Sequence, residues 1–233
     1  NISTLLKYFK KFSLTKPIYI NKYFGRSFLI IAGGPSVSKF KNQILKLKEK
    51  YSCVVISANY YQEEYKSNYL VYTNRKKFKN YIHKVKNKKV KLLLSLYFPK
   101  SFIKKYYNGD YEKIMYLNSN NNFDISNGII QCNCRTVALL SIALSIIMGA
   151  GKIFVVGLDG YSDLIRKKSQ LHYFRKKYFN SVLEIKHHLN VEKNNEKYLN
   201  QINKYLNNKY DQEINIVTPT IHKKYYKPIN LFI

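Results

Sequence analysis

Four successive apolar residues, 28–31 (FLII), run directly into Ala32, Gly33, Gly34, Pro35 and Ser36. A run with no polar face to turn toward water belongs in a strand buried on both sides, as in a parallel sheet. The strand must end where the glycines begin. Pro35, with its fixed φ and missing N–H, suits the first turn of a helix. Val37, Phe40, Ile44, Leu45 and Leu47 follow at roughly helical spacing, with lysines between them. The glycines are expected to supply positive φ and close backbone approach. Strand, glycine turn and helix start together aim backbone N–H groups at one point, where an anion such as phosphate binds. Tight turns of this kind also occur without a ligand, so the remaining segments must decide.

The same two-sided apolar pattern returns at residues 53–57 (CVVIS), 69–72 (YLVY), 89–95 (KVKLLLS), 152–156 (KIFVV) and 214–217 (INIV), with a weaker run at 114–117. Residues 137–148 form a helix of small apolar residues, hence buried, ended by Gly149, Ala150 and Gly151. Residues 191–208 read as a polar, exposed helix. Strands alternating with helices predict an α/β fold, a Rossmann-like and mostly parallel sheet with helices on both faces. One domain is expected at 27–220. A basic amphipathic segment or linker precedes it at 1–26, and a basic tail follows at 221–233. Residues 162–190, basic and poor in apolar periodicity, are expected to form a mobile lid.

Open α/β sheets place ligand contacts beyond the carboxyl ends of their strands. Gly33, Gly34, Ser36, Asn59 and Arg75, one of five arginines, occupy such places, as does Thr218. Asn133 and Thr136 stand just before the buried helix. Asp159 follows a buried strand between Gly157 and Gly160, with Tyr161 beside it; an acid there rarely serves packing alone. Neither G-x-x-x-x-G-K-[ST] nor G-x-G-x-x-G is present, which excludes a P-loop.

Charge widens the field before chemistry narrows it. Lys and Arg number 41 against 13 Asp and Glu, a formal charge of +28, and such a field attracts polyanions. The lysines are spread along the whole chain, and no nucleic-acid-binding motif accompanies them, so nucleic acid is a minor reading. Three cysteines form no paired framework and no zinc pattern, which suggests a reducing, cytoplasmic setting. No apolar run reaches the roughly 18 residues of a membrane span. Residues 2–12 (ISTLLKYFKKF) read either as a helix on a membrane surface or as a docking or linker segment.

The order I-I-A-G-G-P-S, S-A-N-Y-Y, a buried T-V-A helix, V-G-L-D-G-Y and I-V-T-P-T resembles the small bacterial sialyltransferases and their wider superfamily. That group includes flagellin-modification accessory proteins, 6-hydroxymethylpterin pyrophosphokinase-like proteins, and domains attached to aldolase-like barrels in surface-polysaccharide loci. T-N-R, ending at Arg75, and D-G-Y look closest to the aldolase-attached domain. The resemblance implies a glycosyltransferase of surface glycan synthesis with a CMP-linked sugar donor, a glycan acceptor and no metal cofactor. It implies nucleotide contacts at Gly33, Gly34, Ser36, Asn59, Asn133 and Thr136, and a phosphate contact at Tyr161. His188, or His187, is the implied base, with Asp159 orienting the site. The chain departs from the sialyltransferase pattern in lacking an Asn between the glycines and in placing the histidine further from T-P-T. Two alternatives stand beside this reading. A pyrophosphokinase-like enzyme would need Mg²⁺ held by carboxylates, for which only Asp159 and Asp163 stand close. A non-catalytic nucleotide-binding domain of a larger protein is the other.

Overall fold

The computed structural model describes residues 19–85, 89–117, 122–134, 136–167, 172 and 181–233. Its main sheet holds β1 (Ser27–Ile31), β2 (Val54–Ala58), β3 (Tyr69–Tyr72), β4 (Lys91–Ser95), β5 (Tyr111–Ile114), β9 (Lys152–Val156) and β10 (Ile214–Ile216). The spatial order is β10-β9-β1-β2-β3-β4-β5, and every neighbouring pair is parallel. The chain builds outward from β1 to β5, then returns to lay β9 along the other side of β1. The direction of winding therefore reverses between β1 and β9, the place where open α/β sheets keep their crevice. A small second sheet, β6 (Tyr116–Leu117), β8 (Ile129–Gln131) and β7 (Asp124–Ser126), lies in the crossover.

The period-2 alternation of each strand divides the core into two faces. Phe28, Ile30, Ile153 and Val155 turn toward one side, where α5 (Val137–Ile147) is buried along its whole length beside α7 (Val182–Tyr210). Leu29, Ile31, Phe154 and Val156 turn to the other. There the sheet is covered by α2 (Lys41–Lys50) through Ile44 and Leu47. The same face meets α3 (Arg75–Tyr81) through Phe78 and α4 (Lys100–Tyr106) through Ile103. The four-residue α1 (Ser36–Lys39) joins β1 to α2, and α6 (Tyr161–Arg166) follows β9. An α/β fold with a parallel sheet and helices on both faces is what the apolar runs predicted.

Four segments differ from the sequence reading. The helix at 191–208, expected to be exposed, buries Val191, Tyr198, Leu199, Ile202 and Leu206 because its apolar residues recur on one face. The expected lid begins as α6, and its residues 182–190 are the first turns of the 29-residue α7. Of the rest of that stretch, residues 168–171 and 173–180 lie outside the described residues. Residues 221–233 pack on the sheet instead of trailing from it. Tyr225 and Ile229 are buried, and Lys227 N–H donates to the Ile216 carbonyl at 3.0 Å. The weak run at 114–117 is two short strands parted at Met115. The segment at 2–12, read as membrane-surface or docking, lies outside the described residues. Among the described residues no helix is long and apolar enough to cross a membrane.

Candidate functional site

The turns after β1 and β9 are bonded to each other. Ala32 N–H donates to the Val156 carbonyl at 2.9 Å and Gly34 N–H to the Gly157 carbonyl at 2.8 Å. A Cβ on Gly34 would stand 2.5 Å from both Asp159 Oδ1 and the Gly157 oxygen, so only glycine fits. Close approach is the whole reason, because positive φ occurs at Gly157 (74°) and Gly160 (93°) and not at Gly33 or Gly34. Ser36, at the start of α1, donates its N–H to Asp159 Oδ2 at 2.8 Å and its hydroxyl to Oδ1 at 2.5 Å. Thr218 Oγ1 lies 2.9 Å from Ser36 Oγ and accepts the Gly157 N–H at 3.0 Å. The helix start that reads as a phosphate cradle thus holds the chain's own carboxylate. Burial pushes the Asp159 carboxyl up to about 6, with the two Ser36 bonds pulling the other way.

The start of α6 is closed in the same manner. Tyr161 N–H and Ser162 N–H donate to Glu192 Oε2 at 2.5 and 2.8 Å. The start of α5 carries no such carboxylate: its first turn has no acid, and the Thr136 hydroxyl donates to Asn195 Oδ1 at 3.2 Å instead of capping its own helix.

Above these turns lies a cavity of about 880 Å³, within the ~300–1,000 Å³ typical of small-molecule sites. Its floor includes Gly33, Gly34, Asn59 and Asp159. One wall is Thr73 with the face of α3 bearing Lys76, Lys77 and Asn80; the opposite carboxylate-rich side comes from α6, α7 and the β9 turn. From α7 come Glu184, His187, His188, Val191, Glu192 and Asn195, recurring three or four apart on a single face. Further along that face stand Tyr198, Leu199, Ile202 and Leu206, all buried in the core. One helical stripe is therefore polar over the cavity and apolar over the sheet.

Four of the chain's five histidines line this cavity: His172, His187, His188 and His222. The His188 ring stacks 4.5 Å from that of Tyr161, and its Nε2 is 3.9 Å from Glu184 Oε1. Burial raises the Tyr161 phenol above its ordinary range. His222 is only 6% exposed, and burial holds it below the usual histidine range against the opposing pull of Glu192 and Glu196. Its segment is tied to the β9 turn, with Thr220 Oγ1 donating to the Leu158 carbonyl and Ile221 N–H to that of Asp159. Asn59 sits in the left-handed region at φ 64°, with its Oδ1 buried and lacking a partner among the described residues.

Of the residues singled out from sequence, Gly33, Gly34, Asn59, Thr136, Asp159, Tyr161 and His188 meet at the cavity. Ser36, Arg75 and Asn133 do not line it. Ser36 is buried against Asp159. Arg75 donates to the Tyr97 carbonyl at 2.9 Å and lies over the Phe102 ring. The reason is helical phase: Asn74 caps α3 by accepting Lys77 N–H, which turns 76, 77 and 80 inward and 75 away. His222, Glu192, Asn195 and the α3 lysines were missed. The α7 residues had a legible signal, the S-x-x-E pattern of Ser181 and Glu184, where Ser181 Oγ accepts Glu184 N–H at 3.1 Å. Among the described residues, no group of three or more His, Cys, Asp or Glu is placed to hold a metal ion. Compared with family models, with curated proteins and with solved structures, this chain finds no match.

Proposed function

We propose that the cavity binds a nucleotide-activated sugar, CMP-linked on the motif order, and transfers the sugar to a hydroxyl of a surface glycan. The observation that carries this is the gathering of four histidines over the β1/β9 switch point, since histidine moves protons near neutral pH without special tuning. His188 takes the proton of the acceptor hydroxyl as that oxygen attacks the sugar carbon and the bond to the nucleotide phosphate breaks. Glu184, 3.9 Å away, favours the imidazolium so formed. Tyr161 holds the ring by stacking. Asn59 Oδ1, an acceptor without a partner among the described residues, suits a hydroxyl or amino donor of the nucleoside.

The pyrophosphokinase-like alternative asks for carboxylates that can turn toward a metal. Asp159 and Glu192 each accept two hydrogen bonds from helix starts, which supports sugar transfer over that alternative. The test is calorimetry with CMP and CMP-sialic acid, followed by assay of CMP release with glycan acceptors. Binding and acceptor-dependent release are expected. Failure of every cytidine nucleotide to bind would overturn the proposal.

A further inference from the structure

The cavity is divided by charge. Asp159, Glu184 and Glu192 line the side built from the β9 turn and α7, while Lys76 and Lys77 line the side built from α3. Among the described residues these two lysines are the cavity's only Lys or Arg side chains. Most donors of the turn at residues 33–36 are already used, Gly34 N–H by the Gly157 carbonyl and the Ser36 N–H and hydroxyl by Asp159. An incoming phosphate placed there would also face an ionised carboxylate at close range, and like charges in a partly desolvated site repel strongly.

We infer that the ligand's phosphate is held by Lys76 and Lys77 on α3, and not by the glycine turn after β1. This rests on the reading that the cavity takes a nucleotide-linked substrate. With the phosphate on α3, the sugar and the acceptor hydroxyl fall toward His187, His188 and Glu192, so the leaving group and the base occupy opposite walls. Thr73, just before α3, and Asn80, on the same face of α3 as the lysines, add hydroxyl and amide donors to that wall. Lysine suits this position as a flexible point charge that follows the phosphate as the bond to sugar breaks.

The experiment compares CMP with cytidine, which lacks the phosphate, by calorimetry on the full chain. The variants are Lys76→Ala with Lys77→Ala, and a charge-matched control, Lys79→Ala with Lys104→Ala, whose lysines do not line the cavity. The native chain and the control are expected to bind CMP about tenfold or more tighter than cytidine. In the Lys76/Lys77 variant that ratio should fall to near one while cytidine binds as before. A ratio retained in that variant, or absent from the native chain, overturns the inference alone. No binding of either probe to the native chain overturns the functional proposal as well.

Discussion

The turn at residues 33–36 and the first half of α7 exchange the roles their sequences advertise. The turn carries glycines, a proline and a serine after a buried strand, the composition of a ligand cradle. In the fold it is a joint: Gly34 packs against the Gly157 carbonyl and Ser36 against Asp159. The beginning of α7, full of Lys, Asn, His and Glu, reads as mobile lid up to residue 190 and as exposed helix beyond it, yet Glu184, His187, His188 and Glu192 line the cavity. The difference comes from partners. A glycine turn shows that something approaches the backbone closely, without saying whether a ligand or another turn does so. A polar helical stripe that continues into a buried apolar stripe is harder to explain without a cavity.

Substitution at the joint is the harshest way to test this contrast. Gly34→Ala places a Cβ where Asp159 and the Gly157 oxygen already stand, and both neighbours are backbone-tied. We expect a loss of about 3 kcal/mol in urea unfolding, at the upper end of ordinary overpacking costs. A loss below about 1 kcal/mol would mean that the turns part easily and that the joint is not structural.

On the other side of the contrast, His188→Ala should leave stability and nucleotide affinity nearly unchanged while cutting turnover roughly 10²-fold. Equal turnover in the variant and the native chain would move the base to another histidine of the cavity. His222, bonded through its N–H to Thr220 Oγ1 and held by burial below the usual histidine range, would then be the residue to replace.

β1, β2, β3, β4, β9 and β10 were legible because each is a short run apolar on both faces, which only a doubly covered sheet accommodates; β5, with Glu112 and Lys113 in its middle, was not. Asp159 and Asn59 were legible as site residues because a polar group at the end of a buried strand has few other uses. Arg75 misled because its strand-end position was read without the phase of the helix it begins, and α3 turns it toward Tyr97 and Phe102. His222 carried no local signal. It reaches the cavity because residues 218–222 are bonded to the β9 turn, through Thr218 to Gly157 and Ile221 to Asp159, and such contacts over about sixty residues leave no periodicity to read.

The buried carboxylate of the joint makes a smaller, pH-dependent prediction. Its pKa is about 6 in the native protein and 3.8 for an unperturbed side chain. Between those values the native protein keeps a proton that the unfolded chain has released. The group's contribution to stability is therefore full below pH 4, falls as pH rises to about 6, and stays low above. Asp159→Asn cannot ionise. Relative to the native chain it should gain on the order of 2 kcal/mol between pH 4 and pH 7, read as the difference between paired urea titrations. A pH-independent difference would show that Asp159 is not desolvated by the joint.

The smallest effect is expected at the start of α7, and it separates the polar half of that helix from the apolar half. Ser181 has extended backbone, and its Oγ accepts the Glu184 N–H at 3.1 Å, an N-cap within one turn of the first cavity residue. Ser181→Ala removes that acceptor and should cost about 1 kcal/mol, the usual worth of such a cap. The loss should stay local, because Leu199, Ile202 and Leu206 anchor the far half in the core while Val182 and Leu183 are about 80% exposed. Amide hydrogen exchange gives the decisive reading. Protection of residues 185–188 should fall about fivefold, with that of residues 199–206 unchanged, as expected when one end of a helix opens without global unfolding. Ser181→Asp should restore protection, since aspartate caps as well as serine and adds a favourable charge at the helix start. Uniform loss along the whole of α7 would show that its two halves open as one unit, and that the histidines share the rigidity of the core instead of riding on a separately anchored end.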